Sequence, residues 1–144
     1  MKLVIVSDIH GYQEKLKKVI ELETNYDCII SCGDNQIDTS SFEEVIFVKG
    51  NCDFNSYLDD EIILNLNGVK FLILHGHNEK VKYGYQKLID YATGKKVNVV
   101  LFGHTHVKAL FTKNDILFIN PGSLGYNNSY TIYEDGKVTF KKVG

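Results

Sequence analysis

The chain contains no arginine: all sixteen basic residues are lysines. This removes the planar, bidentate clamp that best grips a phosphate dianion. Sixteen bases against eighteen acids give a net charge of −2, without the basic excess that marks a nucleic-acid binder. Long hydrophobic runs are also missing. The apolar N-terminal stretch, Leu3–Val6, is too short for the core of an export signal or for a membrane span. Cysteine is scarce: Cys28, Cys32 and Cys52 lack zinc-site spacing, and their odd number argues against a disulfide framework. Reduced thiols in a cytoplasmic protein are expected, with Cys28 and Cys32 in the core. The single proline, Pro121, lies in a loop, and no repeats, low-complexity runs or linkers interrupt the 144 residues. That length fits one domain over 1–144.

What is present is a series of short apolar runs, each closed by a small polar cluster. Lys2–Val6, Asp27–Ser31, Val45–Lys49 and Val97–Phe102 read as buried strands. Gln13–Glu23 has helical spacing of Leu16, Val19 and Ile20, and Lys80–Ala92 carries a weaker helical pattern interrupted by Gly84. Glu61–Leu66 and Val69–Leu74 flank Asn67-Gly68, the strongest short hairpin signal. Residues 107–113, 115–120, 130–134 and 137–142 complete a β-rich C-terminal part. The expected class is α/β, with two packed sheets and helices outside.

The polar clusters are Asp8/His10, Asp34, Asn51, His75/His77 and His104/His106. All five histidines of the chain fall in them. Ligands of open α/β sheets bind beyond the carboxyl ends of strands, so five strand ends would deliver these side chains to one rim. A set of His, Asp and Asn donors suits manganese, iron, nickel, cobalt or zinc, and it is too large for one four-coordinate ion. Two metals sharing a carboxylate accommodate it, an arrangement that activates water for displacement at phosphorus. His104 and His106, two apart, cannot share a helical face. Metal ligation and ordinary surface exposure are equal readings of that pair taken alone.

Asp8-x-His10, Gly33-Asp34, Gly50-Asn51-x-Asp53, His75-Gly76-His77 and Gly103-His104-x-His106 together resemble, in order, the motif series of the calcineurin-like metallophosphoesterases. Asn120-Pro121-Gly122-Ser123 further resembles their small prokaryotic phosphodiesterase branch. The resemblance implies a four-layer αββα fold and two divalent transition-metal ions. Asp8, His10 and His106 would hold the first ion and Asn51, His75 and His104 the second, with Asp34 between them. The implied reaction is phosphodiester hydrolysis by in-line attack of a metal-bridging hydroxide. Asn51 and His77 are the candidate catalytic residues; His77 reads as a phosphate contact, a support for a ligand, or a solvated loop histidine.

Two departures from the family pattern bear on substrate. Cys52 stands where many members have histidine, and the branch's Pro-Arg after Asn-Pro-Gly-Ser is replaced by Leu124-Gly125-Tyr126. Both favour a singly charged diester over a monoester dianion. The expected partner is a small phosphodiester, with no nucleic acid or membrane, and with room for a homo-oligomer. The competing readings are a phosphomonoesterase and a protein-interaction scaffold on the same fold. Substrate choice is expected to fall to loops 35–44, 53–60 and 76–84, and Asp53 to bond within its own turn.

Overall fold

The structure, a computed structural model, describes residues 1–54 and 57–144. In chain order its elements are β1 (Lys2–Val6), α1 (Gln13–Leu22), β2 (Cys28–Ser31), β3 (Val45–Phe47), β4 (Glu61–Leu66) and β5 (Val69–Leu74). There follow α2 (Gln86–Lys95), β6 (Val99–Leu101), β7 (Ala109–Lys113), β8 (Ile116–Asn120), α3 (Leu124–Asn127), β9 (Ser129–Glu134) and β10 (Lys137–Lys142). The strands form two five-stranded sheets, ordered β10-β9-β1-β2-β3 and β4-β5-β6-β8-β7. Within them β1, β2 and β3 run parallel, as do β5, β6 and β8.

Alternation along β1 explains the layering. Leu3 and Ile5 point to one side and pack with Phe71, Ile73, Leu101 and Ile119 of the other sheet. Val4 and Val6 point to the opposite side and pack against Leu16 and Val19 of α1. On the second sheet Leu72, Val100 and Phe118 turn outward onto Leu88, Ile89 and Ala92 of α2. A strand buried on both faces has no polar alternation, which is why these runs read as uniformly apolar. The result is helix, sheet, sheet, helix, as the αββα expectation required.

Three hairpins are closed by two-residue turns with both residues at positive φ: Asn67-Gly68, Asn114-Asp115 and Asp135-Gly136. This is the turn geometry that matches strand twist. The helix expected over 80–92 is instead split. Residues 81–83 form a single 3-10 turn, Gly84 follows at φ 124°, and α2 begins only at Gln86. It then runs through Gly94 to Lys95, because Leu88, Ile89 and Ala92 anchor it to the sheet. The short α3, not anticipated, is capped by Ser123, whose hydroxyl accepts from the Tyr126 N–H. Among the described residues, no helix is long and apolar enough to cross a membrane.

Candidate metal centre

The loops leaving β1, β2, β3, β5 and β6 meet at one rim. Backbone bonds lock them together: Asp8 N–H donates to the Gly33 carbonyl (2.9 Å) and His10 N–H to that of Asp34 (2.9 Å). Within the second sheet, Gly103 N–H donates to the His75 carbonyl (3.0 Å), and across the two sheets His104 N–H donates to Asp8 Oδ2 (3.1 Å). The approach is close enough to require glycine. A Cβ on Gly103 would lie 2.0 Å from Ser7 Oγ, and one on Gly50 2.2 Å from Asp34 Oδ1.

The six histidine and carboxylate ligands among the seven expected come together. Asp8, His10 and His106 form one cluster and Asp34, His75 and His104 a second, each with its donor atoms within 4.8 Å of one another. A third grouping, His10, Asp34 and Cys52, overlaps both, so Asp34 lies between them. Asp34 Oδ2 is 3.1 Å from His75 Nε2 and 3.7 Å from His10 Nε2. The seventh, Asn51, is exposed on the turn after β3, with its amide directed at the Cys52 sulfur (3.5 Å).

These donors fit a cation. His10 Nε2 and His106 Nε2 lie 3.2 Å apart, and His75 Nε2 and His104 Nδ1 3.1 Å apart. Two nitrogens bound to one ion at ~2.0–2.1 Å stand about 2.9–3.4 Å apart. Asp8 Oδ1 is buried and has no hydrogen-bond partner. Around it stand the Nε2 atoms of His106, His10 and His75 at 3.2, 3.5 and 3.8 Å. A buried carboxylate oxygen left bare costs free energy unless something positive reaches it.

Hydrogen bonds fix the orientation of two of the imidazoles. His75 Nδ1 donates to the Cys32 carbonyl (2.8 Å) and His10 Nδ1 to Gln36 Oε1 (2.7 Å), which leaves each Nε2 lone pair facing the rim. Burial, His75 and Lys82 push His104 down to about 4, so it is neutral at pH 7. Burial opposes ionisation of Asp34 and Asp8. For Asp34, His75, the Cys52 N–H and His10 outweigh it; for Asp8, His10, His75 and Ser7 do. Both carboxyls stay below their ordinary range. His75 moves the other way: burial lowers it, but Asp34 and Asp8 raise it further.

Asp8, His10, Asp34, His104 and His106 all adopt left-handed backbone, with φ from 47° to 73°. Such conformations cost about 1–3 kcal/mol each in a non-glycine residue and collect at functional sites. The histidine pair at 104 and 106 therefore sits in a twisted loop leaving β6. Its two rings serve different clusters, while Thr105 between them turns to Asn120 Nδ2 (3.0 Å).

The support is wider than the motifs. Asp53 does bond within its turn, accepting from Gly50 N–H (2.8 Å). It also accepts from the N–H groups of Asp34, Asn35 and Gln36 at 2.8–3.0 Å, clamping the β2 and β3 loops together. Sequence reading missed two neighbours of His10. Gln36 orients its ring, and Tyr126 stacks on it at 4.7 Å with a 14° interplanar angle. His77 stands beside the second cluster, 5.5 Å from the His75 ring, with Nδ1 buried and unpartnered. Of the loops expected to select substrate, 35–44 reaches the rim through Gln36 and 76–84 through His77, whereas residues 55 and 56 of loop 53–60 lie outside the described residues.

Two overlapping clusters of histidine and carboxylate donors at the carboxyl ends of a double sheet define a metal-dependent hydrolase site. The calcineurin-like phosphoesterase superfamily domain matches residues 1–134, and the chain belongs to that superfamily. It is 35% identical over 127 residues to a probable metallophosphoesterase, YsnB, of Bacillus subtilis, covering 86% of this chain and 75% of that one. It is 30% identical over 145 residues to a phosphodiesterase, MJ0936, of Methanocaldococcus jannaschii, covering 85% and 83%. A crystal structure of a predicted phosphoesterase from Streptococcus pneumoniae superposes with a TM-score of 0.89 at 27% identity, covering 98% of this chain and 88% of that one.

Proposed function

We propose that this phosphoesterase is a phosphodiesterase using two divalent transition-metal ions, held by Asp8, His10 and His106 and by Asn51, His75 and His104, with Asp34 shared. The observation that carries the reading is the bare Asp8 Oδ1 within 3.8 Å of three imidazole Nε2 atoms, beside a second cluster joined to the first through Asp34. Nitrogen and oxygen donors suit manganese, nickel, iron, cobalt or zinc. When bound, such ions supply Lewis acidity and an activated water at neutral pH, so no nucleophile from the protein is required.

The chain's own residues prepare that chemistry. Asp8 and Asp34 stay ionised, and His10 and His75 present fixed lone pairs. His77, its ring beside the second cluster and its Nδ1 buried, would contact a substrate oxygen through its other ring edge or steady the second cluster. Cys52 does not replace a proton-donating imidazole. Burial, Asp34 and Asp53 push its thiol up, so it holds its proton and donates poorly. Turnover should therefore favour esters with good leaving groups. With no arginine at the rim, a singly charged diester is the better substrate than a monoester dianion.

The family match across residues 1–134 supports reading the chain as one domain, and its three free thiols fit a reducing cytoplasm. The test is turnover of bis(p-nitrophenyl) phosphate against p-nitrophenyl phosphate in Mn²⁺ or Ni²⁺, with His75→Ala as control. The diester should react faster and the variant should be inactive. A faster monoester contradicts diester selectivity; an unimpaired variant contradicts the site.

A further inference from the structure

A cleft of about 260 Å³ opens directly beside the metal centre. Its lining includes His106, Lys108, Gly122, Asn127, Ser129 and Lys142. His106 is shared with the first ligand cluster, so the cleft borders the cluster. The two lysines come from opposite sheets. Lys108 leads into β7, and Lys142 ends β10, paired in register with Ser129.

The charge in this cleft is one-sided. No carboxylate lines it, and neither lysine has an acidic partner among the described residues. Lys141, next in the chain to Lys142, differs: its ammonium is tied to Glu23 at 2.7 Å. Lys108 lays its ammonium over the Phe140 ring at 5.6 Å, a contact that leaves it without a carboxylate partner. The walls already have their polar atoms occupied. Ser129 Oγ donates to the Pro121 carbonyl (2.7 Å), and Gly122 N–H donates to Asn120 Oδ1 (2.9 Å). Besides the His106 ring, the polar side chains left to meet a ligand are two lysines and the exposed Asn127 amide. In a chain of net charge −2, that is a local site for an anion.

We infer that this cleft is a subsite for a second phosphate, and that the substrate is a small phosphodiester one of whose alcohols carries a further phosphate group. The inference rests on the phosphodiesterase reading for the ester bond at the ligand cluster. Two lysines match the charge of a terminal phosphate, about −1.5 to −2 at pH 7. The volume is just below the ~300–1,000 Å³ usual for a whole small-molecule pocket, which suits one arm of a substrate and not its entirety.

The test is calorimetric binding of thymidine 3′,5′-bisphosphate and thymidine 5′-monophosphate to the Mn²⁺-loaded protein. The wild type should prefer the bisphosphate by about tenfold or more, as charge-assisted contacts allow. The double variant Lys108→Gln/Lys142→Gln should bring the ratio close to one. Lys137→Gln, at the far end of β10, should leave the ratio at its wild-type value. A ratio near one in the wild type, or a preference that survives in the double variant, overturns the subsite. Hydrolysis of thymidine 5′-(p-nitrophenyl phosphate), with and without a 3′-phosphate, separates the two claims. A binding preference without hydrolysis of either ester refutes the phosphodiesterase reading and leaves the subsite standing. Hydrolysis of both without a binding preference does the reverse.

Discussion

His10 Nε2 and His106 Nε2 lie 3.2 Å apart although 96 residues separate them. One leaves β1 in the first sheet and the other leaves β6 in the second. Their meeting is a product of sheet-on-sheet packing, in which Leu3 and Ile5 settle against Leu101 and Ile119. Two imidazole nitrogens in that relation can share one proton or one cation. The bare Asp8 oxygen 3.2 Å from His106 favours the cation.

Gln36 controls one half of that pair. Its Oε1 takes the His10 Nδ1 proton at 2.7 Å and so fixes which nitrogen faces the rim. Gln36→Leu should lower the affinity of the first metal site by about 10–100-fold, the usual effect of losing such a support. Competition with a chelating dye measures this. An affinity equal to wild type would show that stacking on Tyr126 alone holds the ring.

Asp53 should matter for stability more than for chemistry. It is buried and accepts from the N–H groups of Gly50, Asp34, Asn35 and Gln36. Asp53→Ala strands several of these donors, and should cost about 2–4 kcal/mol in urea unfolding. Asp53→Asn, which keeps one acceptor oxygen, should cost less. Equal, negligible losses for both would remove the clamp from the account.

Glu23 links the fold to pH away from the metal centre. It is buried, with Lys141 Nζ at 2.7 Å, Tyr130 Oη at 2.6 Å and Lys2 Nζ at 3.2 Å. Burial raises its carboxyl, but these three partners outweigh it, so the folded value lies below the ordinary 4.5. The stabilisation is therefore full above 4.5 and is lost as pH falls through the depressed value. Glu23→Gln should cost about 1–3 kcal/mol at pH 7, the lower end being favoured by the partly exposed Lys141. The difference from wild type should shrink in acid. A difference constant down to pH 2 would contradict the linkage.

Much of the site could be read in the sequence because of how ligands are attached to strands. Asp8, Asp34, His75 and His104 each follow an apolar run by at most two residues, and glycine marks each close approach. The hairpins were legible for the same local reason, through Asn67-Gly68 and Asp135-Gly136. Gln36 and Tyr126 were not. Each is defined by a contact with His10 that no spacing encodes, and tyrosines next to glycine are common in loops. Helix α2 began later than its pattern, since Val81 and Tyr85 are apolar for packing reasons on either side of a break at Gly84. α3 is too short for a periodic signal, and only its Ser123 cap hinted at it.

The central claim is that the rim holds two metal ions in distinct clusters. Anomalous diffraction from crystals soaked in Mn²⁺, for the wild type and for His104→Ala and His106→Ala, tests it most directly. Two peaks are expected in the wild type, one among Asp8, His10 and His106 and one among Asp34, His75 and His104. His106→Ala should empty mainly the first and His104→Ala mainly the second. A single peak in the wild type, or the same vacancy in both variants, would contradict the account.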